Sequence, residues 1–138
     1  MNSSVREDVA EFFDRFQSAG DAGESVEVGE LFQPTLLTLD PGSAGMVTRE
    51  QVLASLPRRR QFFDGLGISG MSLESLAESP IDDQHTLVRT TWRLNRTAES
   101  AIAEGTVVAS TFLLRKVDGS WQIVVYLNHQ DLRSLASA

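Results

Sequence analysis

The chain has 138 residues, 41% hydrophobic and 22% charged, and no cysteine; that is enough for one closed core, too little for two, and outside the composition of disordered chains. The missing cysteines exclude a disulfide scaffold, a thiolate metal site and a cysteine nucleophile, and no apolar run approaches the roughly 20 residues that span a bilayer. The net charge of −7 is carried entirely by the stretch through Glu50, and an acidic chain repels phosphate backbones, so neither nucleic acid nor an anionic membrane is an expected partner. Met1 to Glu11 is polar and acidic and lacks the apolar core of a signal peptide, so the expected location is cytoplasmic.

Helices come first. Ser4-Val5-Arg6-Glu7 fits a capping box. Val5, Val9, Phe12, Phe13 and Phe16 then recur at helical spacing, and Ala19-Gly20-Asp21 is the expected stop. A weaker helix is expected from Ser25 to Phe32, with Gly29 inside it and Pro34 closing it. Thr35 to Leu39 is a short β-prone segment stopped by the turn Asp40-Pro41-Gly42-Ser43. Thr48 with Gln51 opens a third helix, whose buried face is Val52, Leu53, Leu56, Phe62, Phe63 and Leu66. Pro57 is expected to kink or split this helix, and Gly65 and Gly67 to finish it. Arg58-Arg59-Arg60 reads as its solvated face.

The period then changes to two. A strand is expected from Ile68 to Ser79, with Pro80-Ile81-Asp82-Asp83 as the turn. His85 to Asn95 alternates clearly, with Val88, Thr90, Trp92 and Leu94 on one side and Leu87, Arg89, Thr91 and Arg93 on the other. Ile102 to Val117 is apolar on both faces. Asp118-Gly119 signals a hairpin, and Trp121 to Asn128 is the last strand. Helices can cover only one face of such a sheet. The other face, carrying Val107, Ala109, Leu113 and Val124 or Val125, is expected to pair with a second copy in a twofold dimer, the alternative being that the C-terminal tail or the curl of the strand itself covers it.

Three helices with a short strand among them, then a run of long antiparallel strands, resemble the nuclear transport factor 2-like superfamily from about Val5 to Leu132. Its marks are the aromatic first helix ending in Ala19-Gly20-Asp21, the pair Leu31-Phe32, and the Asp-Gly-x-Trp-x-Ile of Asp118 to Ile123. The resemblance implies one α+β domain over residues 1–138. Three N-terminal helices would pack in the concave face of a strongly bent, mainly antiparallel sheet, forming a cone around one mostly apolar pocket. The superfamily includes isomerases, polyketide cyclases, dehydratases and adaptors, so the fold does not decide the chemistry.

Within it, Leu31 to Ser43 is similar to the ketosteroid isomerase segment that ends in a catalytic aspartate followed by proline. The match puts Asp40 in the place of the proton-shuttling base and Phe32 beside it. Phe13 stands where that family's tyrosine donor would be and Ser110 where its carboxylic acid would be. Loss of one oxyanion donor typically costs ~10²–10³ in rate, so the ketosteroid isomerase mechanism is disfavoured. Matching strands turn Thr90, Trp92, Ser110, Phe112, Tyr126 and Asn128 inward, and Phe13, Phe16, Phe32 and Leu56 complete the expected ligand contacts. A β-bulge in the last strand would exchange Tyr126 for Val125. Tyr126 and His129 are the candidate polar partners of Asp40, resembling polyketide cyclases. The plainer readings are that Asp40 starts a turn and caps its amides, and that His129 is a surface histidine. Two isolated histidines give no metal-ligand spacing, and neither a phosphate loop nor a nucleophile elbow occurs, so no metal or cofactor is expected. The expected function is therefore a small-molecule-binding domain with a pocket for an apolar ligand. The alternatives are a cofactor-independent isomerase, cyclase or dehydratase with Asp40 as general base, and a dimeric protein-interaction module.

Overall fold

Val9, Phe12, Phe13 and Ala19 recur on one side of α1 (Glu7–Ala22) and are buried there, with Phe16 half-buried on the same side. The computed structural model describes residues 5–22 and 25–130, so the capping box at Ser4 lies outside it. Glu7 and Asp8 in the first turn complement the helix dipole. The second helix, α2 (Ser25–Glu30), is shorter than its composition suggests. Leu31 leaves the helix because its carbonyl accepts from the Ile123 amide at 2.8 Å, which draws the chain straight into β1 (Phe32–Asp40). Pro34 thus lies in a strand rather than behind a helix. It falls where the register of β1 with its parallel neighbour shifts, between Phe32 and Leu37, so its missing amide interrupts no ladder.

The next strand, β2 (Ser43–Thr48), is absent from the sequence expectations. It pairs antiparallel with β1 from Asp40↔Ser43 to Thr35↔Thr48, around a Pro41-Gly42 turn. Ser43 to Met46 are all exposed, so no apolar alternation marks the strand. Thr48 then caps α3 (Arg49–Leu66). Its hydroxyl accepts from the Gln51 amide at 3.1 Å and its own amide donates to the Gln51 side chain at 2.8 Å. Pro57 does not split this helix. It removes one amide donor, and the helix runs on through it to Leu66. Gly67 ends the helix at φ 72°, donating to the carbonyls of Phe63 and Asp64.

Four strands follow: β3 (Ile68–Asp82), β4 (His85–Arg96), β5 (Val107–Val117) and β6 (Ser120–Asn128). Pro80 continues β3, and the turn is Asp83-Gln84 instead, held by the Asp82 carboxylate accepting from the Gln84 amide at 2.9 Å. A turn at Glu104-Gly105, with Gly105 at φ 80°, delays the start of β5 to Val107. Asp118 and Gly119, both at positive φ, make the expected tight hairpin. The six strands lie in the order β2-β1-β6-β5-β4-β3, antiparallel except for the parallel pair β1–β6.

Bulges curve this sheet and decide which side chains face the helices. The shift between Leu73 and Ser75 keeps Met71 and Leu73 on the same face as Leu76 and Glu78, opposite Leu94, Trp92, Thr90 and Val88. In β6 an extra residue stands between Ile123, opposite Leu114, and Val125, opposite Leu113. The bulge therefore lies upstream of Tyr126 and puts it on the inner face with Ile123, opposite Phe112.

A polar cluster pins the start of α1 to the sheet. Arg6 donates to Glu78 from its amide (2.9 Å) and its side chain (2.7 Å), Thr86 donates to Glu78 at 2.5 Å, and Lys116 pairs with Asp8 at 3.0 Å. The Arg6 guanidinium and the Lys116 ammonium lie 5.1 and 5.0 Å from the centre of the Trp121 ring. Burial pushes the Glu78 carboxyl up, but the hydrogen bonds from Arg6 and Thr86 and the Arg6 charge together hold it below the usual glutamate range.

Candidate ligand-binding site

Val52, Ser55, Leu56, Arg59, Arg60 and Phe63 recur at steps of three and four along α3, which places them on one face of the helix. That face is one wall of a cavity of about 350 Å³. The opposite wall comes from the sheet, through Trp92 on β4, Tyr126 on β6 and Ile68 to Met71 at the start of β3. Phe16 and Gln17 of α1, with Val28, Leu31 and Phe32 at the turn from α2 into β1, close the remaining side. Ser55, Arg60 and Ser69 are exposed and mark the opening.

Aromatic side chains in the wall and beneath it meet at tilted angles. Phe13 meets Phe112 at 5.1 Å between ring centres and Phe112 meets Tyr126 at 4.6 Å; Phe16 lies 5.8 Å from Trp92. Phe13 and Phe112 are fully buried and fill the depth of the fold, so they form the floor beneath the lining and do not reach the cavity. Of the side chains expected to contact a ligand, Phe16, Phe32, Leu56 and Trp92 line the cavity, and the candidate polar residue Tyr126 joins them.

Thr90, Ser110 and Asn128 do not line it. They satisfy one another: the Trp92 indole donates to the Thr90 hydroxyl at 2.7 Å, Thr90 donates to the Ser110 carbonyl at 3.1 Å, and Ser110 donates to the Asn128 side chain at 3.1 Å. This series of bonds turns four polar groups into structure, and of these residues only Trp92 lines the cavity. Gln17 is similarly engaged, accepting from the Leu73 amide at 3.3 Å.

The other two expected catalytic side chains lie elsewhere. Asp40 sits at the β1–β2 hairpin, and its carboxylate accepts from the Gly42 amide at 2.9 Å, as a turn-starting aspartate does. His129 bonds the Thr111 hydroxyl at 2.7 Å, on the sheet face turned away from the helices. Asp40, Tyr126 and His129 are thus not brought together. Among the described residues no carboxylate lines the cavity, and no group of three His, Asp or Glu is placed to hold a metal ion.

Two lining residues run against the sequence expectation. Arg59 and Arg60 belong to the cavity wall and not to a wholly solvated face. The Arg59 guanidinium lies 4.9 Å from the centre of the Phe63 ring. Their spacing from Val52, Leu56 and Phe63 was the available signal, obscured because they sit in a run with Arg58.

Residues 3–131 match the family described as NTF2-like protein (DUF6841). The chain belongs to this family. The NTF2-like DUF6841 chain is also similar in fold to Aln2 from a Streptomyces species, with a TM-score of 0.75 at 14% identity and all of both chains covered. An NTF2-like protein with a cystatin-like fold from Novosphingobium aromaticivorans matches with a TM-score of 0.73 at 16% identity, over 91% of this chain and 80% of that one. An NTF2-like protein of unknown function from Shewanella oneidensis matches with a TM-score of 0.71 at 15% identity, over 90% and 98%. No curated protein matches in sequence. At these identities the structural likeness establishes the curved α+β NTF2-like fold of the DUF6841 chain and leaves its chemistry to its own side chains.

Proposed function

We propose that this NTF2-like protein is a non-catalytic binding domain for a small, mostly apolar molecule, held in the cone between α3 and the sheet. The observation that carries this reading is the lining. A cavity of about 350 Å³ is walled by Phe16, Phe32, Leu56, Phe63, Met71 and Trp92, within the usual size range of small-molecule sites. Acid–base catalysis on a carbonyl compound would need a general base within reach of the substrate. Asp40 is hydrogen-bonded into its own turn, and among the described residues neither a carboxylate nor a histidine lines the cavity beside Tyr126. These placements favour binding over isomerase, cyclase or dehydratase chemistry.

The test uses the neutral fluorophore N-phenyl-1-naphthylamine, whose emission rises in an apolar enclosure. The wild-type protein is expected to bind it saturably, and Leu56→Trp, which fills the cavity from the helix side, to reduce the affinity at least tenfold while retaining wild-type circular dichroism. Should Leu56→Trp fail to fold, Met71→Trp fills the same space from the strand side. Binding that survives both substitutions would place the probe elsewhere and overturn the reading.

We also propose that two copies pair through the outer face of the sheet. Leu87, Leu113, Val125, Leu37 and Met46 are successive cross-strand neighbours over five strands, forming one apolar row. Leu87 and Met46 remain 40% and 62% exposed in the single chain.

A further inference from the structure

An α-helix packed over a cavity normally presents apolar residues to it and keeps its charges on the far side. The cavity-facing positions of α3 break that rule twice in succession, at Arg59 and Arg60, after Val52 and Leu56 and before Phe63 have obeyed it. Arg58, with the same side chain, lies off that face and outside the lining. Neither Arg59 nor Arg60 pairs with a carboxylate among the described residues. The Arg59 guanidinium lies 4.9 Å from the centre of the Phe63 ring, a cation–π contact that leaves its N–H donors to other partners. Ser55, one turn earlier on the same face, adds a hydroxyl, although it also donates to the Val52 carbonyl at 2.7 Å.

A neutral hydrocarbon gains nothing from two guanidinium groups in the wall of its site. An anion gains a great deal, because arginine matches a carboxylate or other oxyanion in both charge and geometry. The protein carries a net charge of −7, so its overall field repels an anion and the attraction must be local.

Building on the binding reading above, we infer that the ligand is an amphipathic organic acid, its apolar body against Phe16, Trp92 and Met71 and its anionic oxygens on Arg59 and Arg60. Tyr126 lines the cavity from the sheet side, opposite α3, and offers the ligand a phenol for a polar substituent such as a carbonyl or hydroxyl.

The experiment compares two probes that share one frame: N-phenyl-1-naphthylamine and its sulfonated counterpart, 1-anilinonaphthalene-8-sulfonate. The wild-type protein is expected to bind the sulfonate about tenfold more tightly, the scale of one charge-assisted interaction, with the preference shrinking as salt is raised. In Arg59→Gln/Arg60→Gln the preference should collapse toward equality, in Arg59→Lys/Arg60→Lys it should largely return, and in Arg58→Gln it should match the wild type. Equal affinities for the two probes, or a preference that persists in the double Gln variant or falls equally in Arg58→Gln, would overturn this inference and leave the apolar binding site standing. Failure of both probes to bind the wild-type protein would overturn the binding reading together with it.

Discussion

Gly67 is the residue at which backbone conformation and packing are least separable. Its φ of 72° lies in the left-handed region, and an added Cβ would fall 2.6 Å from the Ser100 Cα. The same junction is tied by the Ser100 hydroxyl donating to the Leu66 carbonyl at 2.7 Å and the Thr97 amide donating to the Gly67 carbonyl at 2.8 Å. Gly67→Ala is expected to cost about 1–2 kcal/mol from the backbone alone, and more because Ser100 must move. A lowered urea midpoint with an unchanged slope is the expected result; an unchanged midpoint would show that the junction relaxes freely. The capping role of Gly67 was legible in the sequence, and the neighbour that encloses it was not. Thr90, Ser110 and Asn128 teach the same lesson. Matching strands to the resembling family turned them inward, but their hydrogen bonds to one another arise only when strands distant in sequence meet.

At the scale of the element, periodicity was a good guide wherever one face is buried and the other wet. It defined α1 and β4 closely, and the Thr48–Gln51 pair marked the start of α3. It was silent on β2, whose first four residues are all exposed, and it could not separate Arg59 and Arg60 from Arg58. It also gave no hint that Glu78, at a strand position in a polar stretch, fastens the start of α1 to β3 and β4. The Glu78 side chain is 1% exposed and its ion pair with Arg6 is close, although Arg6 keeps 38% of its side chain in water. Because folding lowers the Glu78 pKa, the unfolded chain takes up the proton more readily at acid pH. The contribution to stability is complete above the ordinary glutamate range and is lost as pH falls through that range toward the lower folded value. Glu78→Gln should cost about 1–2 kcal/mol near neutral pH, the lower part of the range for a charged hydrogen bond given the solvated partner. It should also flatten the acid limb of a stability–pH profile. A variant as acid-sensitive as the wild type would move that sensitivity to another carboxylate.

For the whole molecule, the order of elements, the length and the local marks together were enough to place the chain in the NTF2-like superfamily, because a helical first half followed by long strands fits few architectures. The cavity's chemistry was less accessible, since it depends on curvature that bulges create. The proposed dimer follows from the outer apolar row, and sedimentation should show a species of twice the chain mass. Leu87→Lys with Met46→Lys should shift the population to single chains without loss of helix content. A monomeric wild-type protein would rule the dimer out. The bulge in β6 has an effect of a different kind. Since the extra residue lies between Ile123 and Tyr126, losing Val124 would restore regular alternation and still leave Tyr126 and Asn128 pointing inward. What would change is the bend of the wall. Insertions and deletions at this one point can therefore remodel the shape and volume of the cavity while sparing the chemical groups that line it, so that its size and its chemistry are free to diverge separately in descendants of this chain.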